Sequence, residues 1–150
     1  MIDWTNPSAL VTPHFSVAEA IYLHRWERLA TPEDGLTYAI KDQIILIFTV
    51  AEKVRDILGV PLLTVDTYRP KKYNTLIGGA VDSAHVYGMA YDFSPAKMNC
   101  DDARLILVPR LVSLGIRMEK LKGACWIHID NRQVPVGGNR YFVPKLAIAA

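Results

Sequence analysis

The chain has 150 residues, 51% of them hydrophobic and 21% charged, which is the composition of a globular protein able to bury a core in one domain over 1–150. A formal net charge of +2 is slight; it favours adhesion to an acidic surface such as a cell-wall polymer but leaves no nucleic-acid footprint, since no run of Lys and Arg interleaves with aromatics. The longest apolar stretch, Ile44 to Ala51, is too short for a bilayer, and MIDWTNPSAL lacks the parts of a secretory signal, so no membrane insertion is expected and the chain is expected to be cytoplasmic as synthesised.

Ser16 and Glu19 have the spacing of a capping box, with Phe15 placed to staple the first turn, which predicts a helix over 17–29. Thr31-Pro32-Glu33-Asp34 reads as a fresh helix start with Pro32 in the first turn. Ile40, Ile44, Ile47, Ala51, Val54 and Leu58 then recur at steps of four and three, drawing one apolar stripe that Gly59 and Pro61 end. Leu46 and Phe48 add apolar surface beside it, so this helix is expected to be the central buried one.

Leu62 to Tyr68 reads as a strand closed by Arg69-Pro70. Residues 71–84, with Gly78-Gly79, read as a long irregular connection, and Met89 to Phe93 as a short strand broken by Ser94-Pro95. Asn99 with Asp101 and Asp102 marks another helix start, which Pro109 kinks or ends and Gly115 closes. Residues 116–119 and 124–130 read as a hairpin about Lys122-Gly123, and Tyr141 to Val143 as a last strand. The expected class is α+β with a small antiparallel sheet and flanking helices. Cys100 and Cys125 have no C-x-x-C spacing; the preferred reading is a pair of reduced, buried thiols, with one disulfide as the alternative.

Chemistry concentrates in two segments, Ser83 to Asp92 and Trp126 to Asp130. Two imidazoles and a carboxylate (His85, Asp92 and His128) are what a catalytic zinc takes: three protein ligands and an open fourth position. His85 comes from a loop and Asp92 from the strand after it, with Gly88 letting the chain fold back. Period two puts Trp126, His128 and Asp130 on one strand face, and Ile127 and Ile129 on the other. On pattern alone the same histidines also read as a loop residue and a hydrogen-bonded strand residue. Tyr87 and Trp126 read either as substrate-groove residues or as wall packing. Asp66 lies ahead of Arg69 and reads as its ion-pair partner. His14 and His24 read as a loop contact and a helix-surface residue.

Ser83-x-His85-x-x-Gly88-x-Ala90-x-Asp92 resembles the signature of the zinc D-Ala-D-Ala metallopeptidases of peptidoglycan. Tyr68-Arg69-Pro70 with Asn74, Gly78 and Gly79 is similar to the segment that family carries ahead of its first zinc histidine. Trp126-Ile127-His128-Ile129-Asp130 is similar to its second-histidine motif, and Thr12-Pro13-His14-Phe15-Ser16 resembles the opening of small phage-borne members. The resemblance covers about residues 12–132 and implies the small fold shared with hedgehog signalling domains. It implies Zn2+ on His85, Asp92 and His128, with Arg69 steadying the polarised carbonyl and Ser83 near substrate or the ligand histidine. The implied activity is hydrolysis of peptidoglycan stem peptides, as a D,D-carboxypeptidase or a crosslink endopeptidase, by a monomer of phage lysis or tail-associated type.

One departure stands out. Three residues before its second zinc histidine the family usually carries a Glu or Asp as general base; here that position is Cys125. A thiol there could be a fourth zinc ligand, which would close the site to the reactive water; strand alternation instead predicts a core cysteine among the isoleucines, the preferred reading. Asp130 is then the nearest candidate base, its other reading being the carboxylate that orients His128. The alternative function is a catalytically silent zinc module that binds wall peptide or builds a particle.

Overall fold

In the computed structural model, which describes residues 1–144, the chain opens on β1 (Leu10–Thr12) and β2 (Phe15–Ser16), a short antiparallel pair. Residues 145–150, the end of the expected 1–150 domain, lie outside the described residues. Ser16 caps α1 (Val17–Ile21) with both halves of the expected capping box. The helix does not run on to Leu29. From Tyr22 burial alternates (Tyr22 exposed, Leu23 buried, His24 exposed), which is the strand period, and the chain turns through β3 (Tyr22–Leu23) and β4 (Arg28–Leu29). Pro32–Asp34 forms only a single 3-10 turn, tied back by the Arg28–Asp34 ion pair.

Thr37 caps α2 (Tyr38–Leu58), which ends on Gly59 in the left-handed region at φ +69. Its predicted stripe is largely the buried one: Ile44, Ile47, Ala51, Val54 and Leu58 are in the core, joined by Phe48, while Ile40 is partly buried and Leu46 is exposed. Fully burying an Ile, Val, Leu or Phe side chain contributes about 1.5–3 kcal/mol, so this helix anchors the molecule. No helix among the described residues is long and apolar enough to cross a membrane.

The main sheet is built from β5 (Leu62–Asp66), β6 (Ala90–Pro95), β7 (Arg117–Glu119), β8 (Ile127–Asp130) and β9 (Tyr141–Phe142), in the order β5-β6-β8-β7-β9. Mixed helices and strands are compatible with the α+β expectation, but the sheet is not wholly antiparallel, because β9 runs parallel to β7. Between β5 and β6 the expected irregular connection contains α3 (Lys71–Leu76), which a sequence without a clear apolar stripe did not announce. The strand β6 also runs through Ser94 to Pro95, which pairs with Leu62 instead of breaking the sheet.

After β6, Asn99 caps α4 (Cys100–Leu107). Pro109 converts its continuation to a 3-10 turn before α5 (Leu111–Leu114), closed by Gly115 at φ +67. The fully buried Tyr91, Phe93, Ile127, Ile129 and Met118 form the core face of the sheet. Tyr91 meets Phe15 and Phe48 edge-on, with ring centroids 5.6 and 5.4 Å away.

The cysteines depart from expectation. Both are free, and while Cys100 is buried, Cys125 is exposed. The strand β8 begins only at Ile127, so strand alternation never reaches Cys125, and it does not join the isoleucine face. The loop that carries it is tied down by Arg104, a buried side chain that donates to the carbonyls of Leu121 (2.5 Å), Ala124 (2.7 Å) and Trp126 (2.9 Å).

Candidate metal centre

The face of the sheet opposite the core carries a polar row. Antiparallel register sets Asp66 opposite Asp92, and Asp92 opposite His128, so residues from β5, β6 and β8 line up across three strands. His85 joins them from a 3-10 turn, Ala84–Tyr87, capped by the Ser83 hydroxyl, which accepts from the His85 backbone N–H. The turn closes on Gly88 at φ +70, where an added Cβ would lie 2.9 Å from the Ile40 carbonyl oxygen. Only glycine meets both demands, left-handed backbone and close approach to α2.

His85, Asp92 and His128 are all buried, and one donor atom from each lies within 4.8 Å of the others. The hydrogen bonds fix which atoms face inward. His85 Nδ1 lies 2.6 Å from the Thr67 carbonyl oxygen, which can only accept, so Nδ1 carries the proton and Nε2 points to the site. Nε2 is buried without a hydrogen-bond partner, 3.2 Å from Asp92 Oδ2. His128 donates from Nε2 to Asp130 Oδ2 at 2.9 Å, leaving Nδ1 2.7 Å from Asp92 Oδ1. Two ring nitrogens thus converge on one carboxylate.

Electrostatics point the same way. Burial pushes the Asp92 carboxyl up, but His85 and His128 outweigh it and hold the group well below the usual carboxylate range. Burial lowers His128, yet Asp130 and Asp92 on either side of the ring raise it to about 10. Both shifts express a demand for positive charge beside the Asp92 carboxylate. A divalent ion answers that demand and gives the orphaned His85 Nε2 a partner. Two imidazoles and a carboxylate, with a backbone carbonyl and a second carboxylate fixing the rings from behind, fit zinc.

The other sequence-predicted residues divide. Arg69 lies at the site, its Nη2 3.7 Å from Asp92 Oδ2; Asp66 bonds its Nε and Asn74 Oδ1 its Nη1 at 3.2 Å. Gly79 allows that packing, since a Cβ there would lie 2.0 Å from Asn74 Oδ1 and 3.0 Å from Arg69 Nη1. Ser83 and Trp126 line the open cleft of about 510 Å3 over the three donors, with Val65 and Glu119. Tyr87 does not line it; its ring sits beneath the Arg132 guanidinium and its hydroxyl reaches Asp82. His14 makes a loop contact with Glu52, while His24 lies in the β3–β4 turn instead of on a helix.

Asp130 is completely buried and bound on all sides. Arg117 donates to it twice, at 2.8 and 2.9 Å, the Arg132 backbone N–H donates at 3.2 Å, and His128 Nε2 completes the set. Burial raises its carboxyl, but His128 and Arg117 bring it down to about 2. It meets His128 on the nitrogen opposite the one that faces Asp92. Sequence reasoning missed Thr67, Arg117 and Glu119. The last two had a usable signal: they alternate with Met118 on β7, and the hairpin places that strand beside β8.

A family model described as Peptidase M15 matches residues 14–130. No curated protein and no solved structure matches the chain.

Proposed function

Starting from the fact that the chain belongs to the peptidase M15 family and is a zinc metallopeptidase, we propose that it hydrolyses the stem peptides of peptidoglycan, as a D,D-carboxypeptidase or a crosslink endopeptidase. The observation that carries this reading is the buried His85–Asp92–His128 cluster, whose three residues line an open cleft of about 510 Å3. The ordered motifs Ser83 to Asp92 and Trp126 to Asp130 support the choice of substrate. So does the slight positive charge, which suits an acidic wall.

In this reading His85 Nε2, Asp92 and His128 Nδ1 hold the ion. Zinc, when bound, polarises the scissile carbonyl and lowers the pKa of a water to about 7. Arg69, kept in place by Asp66 and Asn74, meets the charge that develops on the carbonyl oxygen. Thr67 and Asp130 hold the two imidazoles in their tautomers and directions. Ser83 and Trp126 flank the substrate in the cleft; Tyr87 bears on the groove through Arg132 and Asp82. We further propose that the chain acts as a monomeric single domain, made in the cytoplasm and used in phage lysis or within a virion.

Digestion of purified murein, followed by mass analysis of the released peptides, tests the reading. Loss of terminal D-Ala or cleavage of crosslinks, abolished by chelator and restored by zinc, is the expected outcome. Intact murein from several wall types, with zinc bound throughout, would instead make the chain a silent wall-peptide or virion module.

A further inference from the structure

The position three residues before His128 is the exposed Cys125, so the loop leading into β8 brings no carboxylate to the cleft there. The strand on the other side of β8 does. Its register pairs Arg117 with Asp130 and Met118 with Ile129; one step further sets Glu119 opposite His128. Alternation places Glu119 and Arg117 on the polar face, because Met118 between them is fully buried on the core face. The polar row across the sheet therefore reads Asp66, Asp92, His128, Glu119, one residue from each of four strands. Directly opposed residues on one face have Cβ atoms about 4.5–5.5 Å apart.

Glu119 is also the carboxylate on this face that nothing engages. Asp66 is bonded to Arg69, Asp92 faces both imidazoles, and Asp130 is bound by Arg117 and His128. Among the described residues Glu119 is half-buried and has no hydrogen-bond or ion-pair partner. It lines the cleft over the three donors. It also lines the adjoining cleft walled by Arg117, Arg132 and Phe142, which shares Ala80, Ser83 and His128 with the first.

We propose that Glu119 is the general base of the peptidase reaction, supplying from β7 the carboxylate that position 125 lacks. The inference rests on the peptidase reading. As a water oxygen bonds to the scissile carbonyl carbon, one water proton passes to the Glu119 carboxylate. When the carbon–nitrogen bond then breaks, Glu119 returns that proton to the departing amine and is again ionised.

The test compares wild type with the isosteric Glu119→Gln on the murein peptide that wild type cleaves, and follows zinc content and ligand binding alongside. Expected is a fall in kcat of roughly 10²- to 10⁴-fold, the worth of general-base help, with zinc content unchanged. Calorimetry with a phosphinate analogue of D-Ala-D-Ala, run in buffers of different ionisation enthalpy, should show a larger proton uptake for wild type than for Glu119→Gln. Wild-type kcat in Glu119→Gln, equal proton uptake in the two proteins, or loss of zinc from the variant would each overturn the assignment while leaving the peptidase reading intact. A wild-type protein that cleaves no murein peptide would overturn both.

Discussion

Arg69→Ala should keep its zinc and its fold yet turn over roughly 10²- to 10³-fold more slowly, the scale of removing one oxyanion donor. Arg69 is no metal ligand: its closest approach to the cluster is 3.7 Å, to an Asp92 oxygen that already faces His85. Its rigidity comes from Asp66 on one side and Asn74 on the other, and Asn74 is itself tied to the Ala80 carbonyl at 2.8 Å. Truncation leaves Asp66 unpaired, but that side chain is a quarter exposed and water can take over. The loss should therefore fall on kcat, where charge develops, and little on KM. Arg69→Lys should recover little, because a point charge cannot reproduce a planar guanidinium bonded at two nitrogens. A variant that unfolds or sheds its metal would make Arg69 a structural residue.

Asp130→Asn is expected to weaken zinc binding by about 10- to 100-fold while leaving turnover near wild type once zinc is saturating. The carboxylate accepts from His128 Nε2 and from Arg117 together, so the neutral amide loses the charge that fixes the imidazole and raises its basicity as a ligand. Competition with a calibrated chelator measures the affinity, and rates at saturating zinc measure the chemistry. Turnover that stays abolished at saturating zinc would return the base to Asp130 and take it from Glu119.

What could be read from sequence followed how local the cause was. The α2 stripe and the caps at Ser16 and Asn99 depend on neighbours a few residues away, and the site's ligands came from spacing and strand alternation together with the resemblance to the metallopeptidase signature. Errors arose where pairing or packing overrode local pattern. The helix after Val17 ended at Ile21 because β3 and β4 pair with each other. Cys125 stays outside the core in a loop whose carbonyls at Leu121, Ala124 and Trp126 accept from Arg104, a contact 17 to 22 residues away in sequence. The place of Glu119 in the polar row was invisible for the same reason. Asp66, Asp92, His128 and Glu119 become neighbours only through sheet register, which spacing along the chain does not encode.

Zinc content per chain is the most direct measurement of the central claim, made on protein refolded with excess zinc and then freed of loosely held metal. Wild type should hold one equivalent, and His85→Ala and His128→Ala should hold none while keeping their secondary structure. A full equivalent retained by either variant would contradict the assignment of the metal to His85, Asp92 and His128.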